Sequence, residues 1–154
     1  MDAVRKVLRL YGWFMAGTML AALVAKLTLH SRGEPSSEEV DLVSIFDGIH
    51  LVSEADPFYG GKVMSVFGGI LLDLRKAQPS PTGVHLDVIV IWGGLSVVVP
   101  PGWMVRNEAD VFAGGYEDRA QPSADPDSPV VRITGKVIMG GLQVTTKSPV
   151  EAVT

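Results

Sequence analysis

A glycine doublet recurs through most of the chain, each time within the same short apolar frame. The five versions are IFDGI (45–49), VFGGI (66–70), IWGGL (91–95), FAGGY (112–116) and IMGGL (138–142). The second glycine returns after 21, 25, 21 and 26 residues. A period in this range is typical of repeat proteins, in which each unit buries its apolar face only against its neighbours.

Apolar and polar residues alternate on either side of the doublets, as they do in half-buried strands. After the doublets, Leu72, Val97 and Val144 are expected to face inward, and Asp73, Ser96 and Gln143 outward. Before the third doublet one parity, which is expected to fill the same interior, is shared by Val84, Leu86, Val88, Val90 and Trp92. The fourth copy is followed by YEDR (116–119), so its strand is expected to be shorter than the others or to lie at an edge.

These patterns predict an all-β fold, a single-stranded β-solenoid of about five glycine-cornered repeats preceded by one α-helix. An antiparallel β-sandwich with glycines at its hairpin turns is the alternative. The predicted structural corner residues are Gly48, Gly68, Gly69, Gly93, Gly94, Gly114, Gly115, Gly140 and Gly141. If Gly69 and Gly94 hold positive φ, Gly94→Val should cost more than about 1 kcal/mol, and Gly83→Ala in a proline loop should cost less.

The N-terminal segment has a different composition from the repeats. Leu10–Ala25 carries no charge, and residues 10–29 as a helix would measure about 30 Å, the thickness of a bilayer core. Tyr11 and Trp13 lie near its start, where interfacial anchors are found. The segment therefore predicts a single-pass membrane anchor. Its orientation stays open because basic residues flank both ends (Arg5, Lys6 and Arg9 before, Lys26 and Arg32 after).

Two alternatives to the anchor remain, a buried helix that covers one end of the β-domain and a cleaved signal peptide. The predicted organisation is an apolar helix over 1–32, a linker over 33–40, the β-repeat domain over 41–147 and a tail over 148–154. Gly33 and Pro35 disfavour helix in the linker.

Composition excludes several classes of chemistry. Net charge is −4 and no basic stripe follows the first 32 residues, so nucleic acid is not an expected partner. The chain has no cysteine, which excludes thiolate nucleophiles and zinc–thiolate sites. His30, His50 and His85 show no ligand spacing, so the sequence predicts no enzyme, cofactor or metal. An enzyme acting on envelope sugars through Asp73 and Asp87 is the remaining catalytic alternative.

The recurrent VFGGI, the run VPPGW at Val99–Trp103 and the later VFAGGYED resemble a bacterial family. It is the C-terminal domain of LiaF-type cell-wall-active antibiotic response proteins, within a broader group of toastrack-like β-solenoids. The resemblance covers roughly Val40 to Thr146. It implies a non-enzymatic protein at the cell membrane that modulates envelope-stress signalling, with a membrane sensor kinase as partner.

A second hypothesis is a self-assembling scaffold similar to bactofilins. It depends on the last strand, Leu142–Lys147, which ends so near Thr154 that little chain remains to cover an open solenoid end. Uncovered strand edges invite pairing with another copy.

Overall fold

The computed structural model describes residues 2–28 and 33–147. The chain divides into two compact units, Met1–His30 and Ser31–Thr154. The N-terminal unit holds one α-helix, α1 (Asp2–Thr28), rich in strong helix formers and free of proline. Its large apolar side chains are exposed on consecutive positions such as Trp13 and Phe14, so they point in several directions around the axis. Among the described residues, no helix has the length and apolarity that a membrane crossing requires.

The C-terminal unit is built from parallel β-strands. Their bounds are β1 Glu39–Ile45, β2 Gly48–Val52, β3 Gly60–Val66, β4 Gly69–Asp73, β5 Val84–Ile91, β6 Gly94–Val98, β7 Met104–Arg119 and β8 Val130–Thr145. Every pairing between these strands is parallel. The antiparallel sandwich is therefore wrong, and the fold is an all-β, solenoid-like one.

The strands stack in register on both sides of the glycine corner. On one side β1 pairs with β3 and β3 with β5, and on the other β2 pairs with β4 and β4 with β6. The long strand β8 bends at its own corner, so that its first half pairs with β5 and its second half with β6. The sheet order is therefore β1-β3-β5-β8-β6-β4-β2, with β7 paired to β8.

The last two segments stack in the reverse of their chain order. After β6 the chain leaves one position of the stack unfilled and forms β7 in the position beyond it. It then returns through residues 120–129, and β8 fills the position between β7 and the strands β5 and β6. Composition explains the exchange, because β8 supplies buried side chains and β7 is charged. The buried residues of β8 include Val131, Ile133, Val137, Leu142 and Val144, whereas no residue of β7 is fully buried.

This exchange bears on two predictions from the sequence. The fourth copy does lie at an edge, but its strand spans 16 residues and is not shorter than the others. The final strand is not an open end, because β8 is paired on both sides. The premise of the scaffold hypothesis is therefore wrong.

The core is a single cluster of aliphatic side chains inside the coil. Leu72, Val97 and Val144 are buried in it, as the alternation predicts, while Ser96 and Gln143 are half-buried on the outer face.

The expected positions of Trp92 and Asp73 are wrong. Trp92 is 54% exposed because the backbone leaves the strand conformation at this residue, which breaks the alternation. Asp73 is only 4% exposed, because it ends β4 and its carboxylate turns onto the following Arg75.

Residues 33–38 are tied to the β-domain by backbone hydrogen bonds. The amide of Glu54 donates to the carbonyl of Pro35 at 2.6 Å, and that of Tyr59 to Glu38 at 2.8 Å. The strand β1 already begins at Glu39, inside the predicted linker. Residues 29–32, with His30 and Arg32, and the predicted tail 148–154 lie outside the described residues.

Candidate functional site

The residue before each stacked doublet adopts the left-handed backbone conformation. Phe46, Phe67, Trp92 and Met139 have φ of 52°, 51°, 52° and 51°. Bulky residues rarely adopt this conformation, which costs roughly 1–2 kcal/mol per residue. The three aromatic corners are nevertheless held by the strands stacked next to them. The amides of Phe46, Phe67 and Trp92 donate to the carbonyls of Val66, Ile91 and Ile138 at 3.0, 2.9 and 3.1 Å.

The first glycine of a doublet is required by close backbone approach. A Cβ on Gly68 would collide with the carbonyl oxygen of Asp47, and one on Gly93 with that of Gly68. Gly140 meets the carbonyl oxygen of Gly93 in the same way. Asp47 stands at the equivalent position of the first corner, which β1 and β2 form at the end of the stack, where no earlier strand of the described chain is paired.

The second glycine has a different environment. A Cβ would meet nothing within 4 Å at Gly48, Gly69, Gly115 or Gly141, and only the carbonyl oxygen of Gly141 at 4.0 Å from Gly94. None of these five residues has positive φ. The predicted positive φ at Gly69 and Gly94 is therefore wrong, because the preceding Phe67 and Trp92 make the turn.

Gly83 also differs from its prediction. It has φ of +91°, and a Cβ there would lie 2.8 Å from the carbonyl oxygen of Val130. On geometric grounds Gly83 is therefore the more constrained of the two positions, which is the opposite of what the sequence-based comparison of Gly83→Ala with Gly94→Val assumed.

The four left-handed residues form an exposed row, here called the corner ladder (Phe46, Phe67, Trp92 and Met139). The rings of Phe46 and Phe67 stack with centroids 5.0 Å apart and planes 9° from parallel. Trp92 continues the stack at 6.1 Å and 6° from Phe67. Exposure ranges from 41% at Met139 to 54% at Phe46 and Trp92. Large apolar side chains of this kind are normally buried, so the continuous exposed row is a candidate interaction surface.

A groove of about 770 Å³ crosses the strands immediately after the corner. We call it the glycine groove, because the second glycine of each corner lines it. These glycines are paired in register across the strands and form one row, Gly48, Gly69, Gly94, Gly141 and Gly115. Its outward side-chain row is His50, Leu71, Ser96, Gln143 and Glu117. The described lining residues include no lysine or arginine.

Hydrogen-bonding groups concentrate in the middle and at the β7 end of the groove. The Oγ of Ser96 is buried and, among the described residues, has no hydrogen-bond partner. Burial, followed by the charge and hydrogen bond of Asp118, raises the pKa of Tyr116 to about 12. Its hydroxyl is therefore protonated at neutral pH and donates to Asp118 Oδ2 at 3.3 Å. Gln143 Nε2 donates to Glu117 Oε2 at 3.5 Å.

The structure does not bring Asp73 and Asp87 into one site. Asp87 lies on β5 in register with Lys62 and Thr134, whereas Asp73 ends β4. The guanidinium of Arg75 donates to both carboxylate oxygens of Asp73, with Nε 3.0 Å from Oδ1 and Nη2 2.8 Å from Oδ2. Burial raises the pKa of Asp73, but the hydrogen bonds and charge of Arg75 outweigh it and hold the pKa below its ordinary value.

The histidines are also separate. His50 lies in the glycine groove, His85 on β5 contacts Thr134 through Nε2 and Oγ1 at 2.9 Å, and His30 lies outside the described residues. Within 2–28 and 33–147, no group of three histidine, cysteine, aspartate or glutamate side chains is arranged to hold a metal ion.

Sequence reasoning missed both the corner ladder and the glycine groove. The signal for the ladder was present, since Phe, Phe, Trp and Met precede the doublets at 46, 67, 92 and 139. Strand alternation assigned Trp92 to the interior instead. The groove had no comparable signal, because the two glycines of a doublet look alike until their contacts are known.

Comparison of the chain with protein-family profiles, with curated proteins and with solved structures gives no match.

Proposed function

We propose that this protein is a non-catalytic interaction module of about five glycine-cornered repeats, attached to a membrane through α1 and binding a partner protein through the corner ladder. The observation that carries the proposal is the ladder itself. Four large apolar side chains are exposed in one row, each on a left-handed backbone. Strained conformations concentrate at functional sites, and glycine or asparagine would satisfy these corners with less strain.

The proposed attachment rests on the surface of α1. Trp13 is 78% and Leu10 70% exposed, and apolar side chains occupy successive positions of the helix. A helix that is apolar all round is stable when lipid or other helices surround it. Arg5, Lys6 and Arg9 near the start suit contact with lipid headgroups.

The proposed class of partner comes from the resemblance to LiaF-type proteins, a membrane sensor kinase of the envelope-stress response. The corner ladder supplies what such a contact needs, an apolar strip with aromatic groups at its centre.

The partner contact is tested by site-specific photo-cross-linking in native cells. A photoreactive phenylalanine analogue at Phe67 should cross-link to a membrane sensor kinase, identified by mass spectrometry. The matched control is the analogue at Tyr59, which is exposed at 41% but lies outside the ladder. Equal cross-linking from both positions, or none from Phe67, would refute the ladder as the contact surface.

A second variant separates binding from folding. Trp92→Asn removes the apolar side chain, while asparagine tolerates φ near 52°. Loss of the ring stack costs about 0.5–1.5 kcal/mol and relief of strain returns a similar amount, so stability should change by less than about 1 kcal/mol. The Phe67 cross-link should nevertheless weaken. An undiminished cross-link in a folded variant would contradict the proposal.

Attachment is tested by washing isolated membranes with carbonate at high pH. The full chain should stay with the membranes, and a variant with Trp13→Ser and Phe14→Ser should be released. Release of the unaltered chain would refute attachment through α1, but would leave the cross-linking test of the ladder valid.

A further inference from the structure

The second glycines of the corners have no structural explanation within the fold. None holds positive φ, and an added Cβ would meet open space or, at Gly94, an atom 4.0 Å away. Glycine within a strand is unfavourable because it loses more conformational freedom than any other residue. A chain that needed only a corner would carry larger residues here. What the five glycines do create is the floor of the glycine groove.

The shape of the groove specifies a linear ligand. The five strands that it crosses are spaced by about 4.8 Å, so the floor is roughly 19 Å long. Without Cβ atoms the floor lets a ligand lie close to the backbone over this whole length. A compact ligand would use only part of it.

Charge and hydrogen bonding narrow the ligand class further. An anionic ligand is disfavoured, because the described residues that line the groove include no lysine or arginine to neutralise its charge. Glu117, at one end of the groove, would also repel it. An acyl chain offers no hydrogen-bonding group to the buried Ser96 Oγ, whereas a hydroxylated ligand would give it the partner that it lacks among the described residues. His50, Ser96, Gln143 and Glu117 offer donors and acceptors along the outward row.

We infer that the glycine groove binds a neutral, linear oligosaccharide, with its hydroxyl groups against the polar row and its CH groups over the glycine floor. The buried Ser96 Oγ is the central hydrogen-bonding group of this site. The inference goes beyond the proposed function and does not depend on α1 or on the partner protein, because the groove lies wholly within the β-domain.

The test titrates the purified full chain, in a detergent without a sugar head group, with β-1,4-linked tetrasaccharides of glucose and of N-acetylglucosamine. Saturable binding is expected by calorimetry with at least one of them, together with a change in the tryptophan fluorescence of the chain, to which Trp92, two residues before Gly94, contributes. Gly94→Leu fills the groove and should weaken binding at least tenfold. Thr82→Leu, in an exposed loop, is the matched control and should leave affinity unchanged.

The variant Ser96→Ala tests whether the hydroxyl of Ser96 binds the ligand or stabilises the fold. Because the hydroxyl has no hydrogen-bond partner among the described residues, its removal should leave the melting temperature unchanged or raised while affinity falls about tenfold. Extended (Ala-Gly) peptides of eight residues serve as the competing class. Binding of the peptide without the sugars, binding of neither, or full affinity in Gly94→Leu would each overturn the inference, whatever the outcome of the cross-linking test.

Discussion

At the scale of single residues, the two glycines of each doublet have opposite constraints. A Cβ on Gly93 would collide with the carbonyl oxygen of Gly68, so a larger residue must displace the backbone of the neighbouring corner. Gly94 faces open space with an ordinary φ. The corner is therefore made by the left-handed Trp92, permitted by Gly93, and left open to the outside by Gly94.

This difference predicts opposite effects of the same substitution at adjacent positions. Gly93→Ala should lower the free energy of unfolding by about 1–3 kcal/mol, because overpacking against backbone cannot relax locally. Gly94→Ala should raise it by roughly 0.5–1 kcal/mol, because alanine restricts the unfolded chain. Denaturant unfolding of the two variants in parallel measures both. Equal destabilisation would mean that Gly94 is also in a restricted conformation.

The corners also show which features of the fold could be predicted from the sequence and which could not. The recurrence of the doublets favoured a solenoid over an antiparallel sandwich, and the alternation correctly placed Leu72 and Val97 inside. Which residue of the corner has positive φ could not be predicted, because it depends on the hydrogen bonds between levels. The burial of Asp73 was missed because its partner Arg75 lies beyond the end of the strand, outside the alternating pattern.

At the scale of elements, β4 ends in a charged turn. Asp73 accepts hydrogen bonds from the backbone amide and the guanidinium of Arg75, both at 3.0 Å. These bonds to the ionised carboxylate fix the turn after β4, next to the buried Leu74.

Asp73→Asn should therefore lower the stability at neutral pH by about 1.5–3 kcal/mol, the usual range for a hydrogen bond to a charged group. The folded-state pKa of Asp73 is lowered, so its contribution is complete above the unfolded-state pKa of about 3.9 and is lost as pH falls through the folded-state value. Thermal melts of the two proteins should differ at neutral pH and converge in acid. A difference that persists at the lowest pH would show that the carboxylate charge is not the cause.

The reversed stacking of the last two segments belongs to the same scale. The positions of β7 and β8 in the stack could not be predicted from their sequence in the chain, because these positions depend on which strand can be buried between two others. Residues such as Val137 and Ile133 in β8 are fully buried, whereas β7 carries Glu108 and Asp110 on its exposed face.

Hydrogen exchange tests this order directly. Amides of β8 should be protected along its length, because it is paired on both sides. In β7 only alternate amides should be protected, because just one of its edges is paired. Amide-resolved exchange by NMR distinguishes the two patterns. Uniform protection of β7 with alternate protection of β8 would mean that the segments stack in chain order.

At the scale of the whole molecule, the arrangement of the levels determines what the β-domain can pair with. The terminal strand β7 carries charged side chains and a register shift between Val111 and Gly114. Charged residues and bulges on edge strands are the usual protection against pairing with another chain. The stack is therefore built to end at β7, which disfavours the end-to-end scaffold.

This protection predicts how self-association should respond to charge. Glu108→Thr with Asp110→Thr removes two negative charges from the outer face of β7 and raises its strand propensity, so the variant should form dimers or larger species by sedimentation in a non-ionic detergent. Asp125→Thr with Asp127→Thr removes the same charge from an exposed loop and should sediment as the unaltered chain does. Both variants change the net charge of the chain by the same amount. A difference in sedimentation between them is therefore caused by the position of the charges on β7 and not by net charge. Filaments formed by the unaltered chain would show that β7 is an assembly edge rather than a protected one.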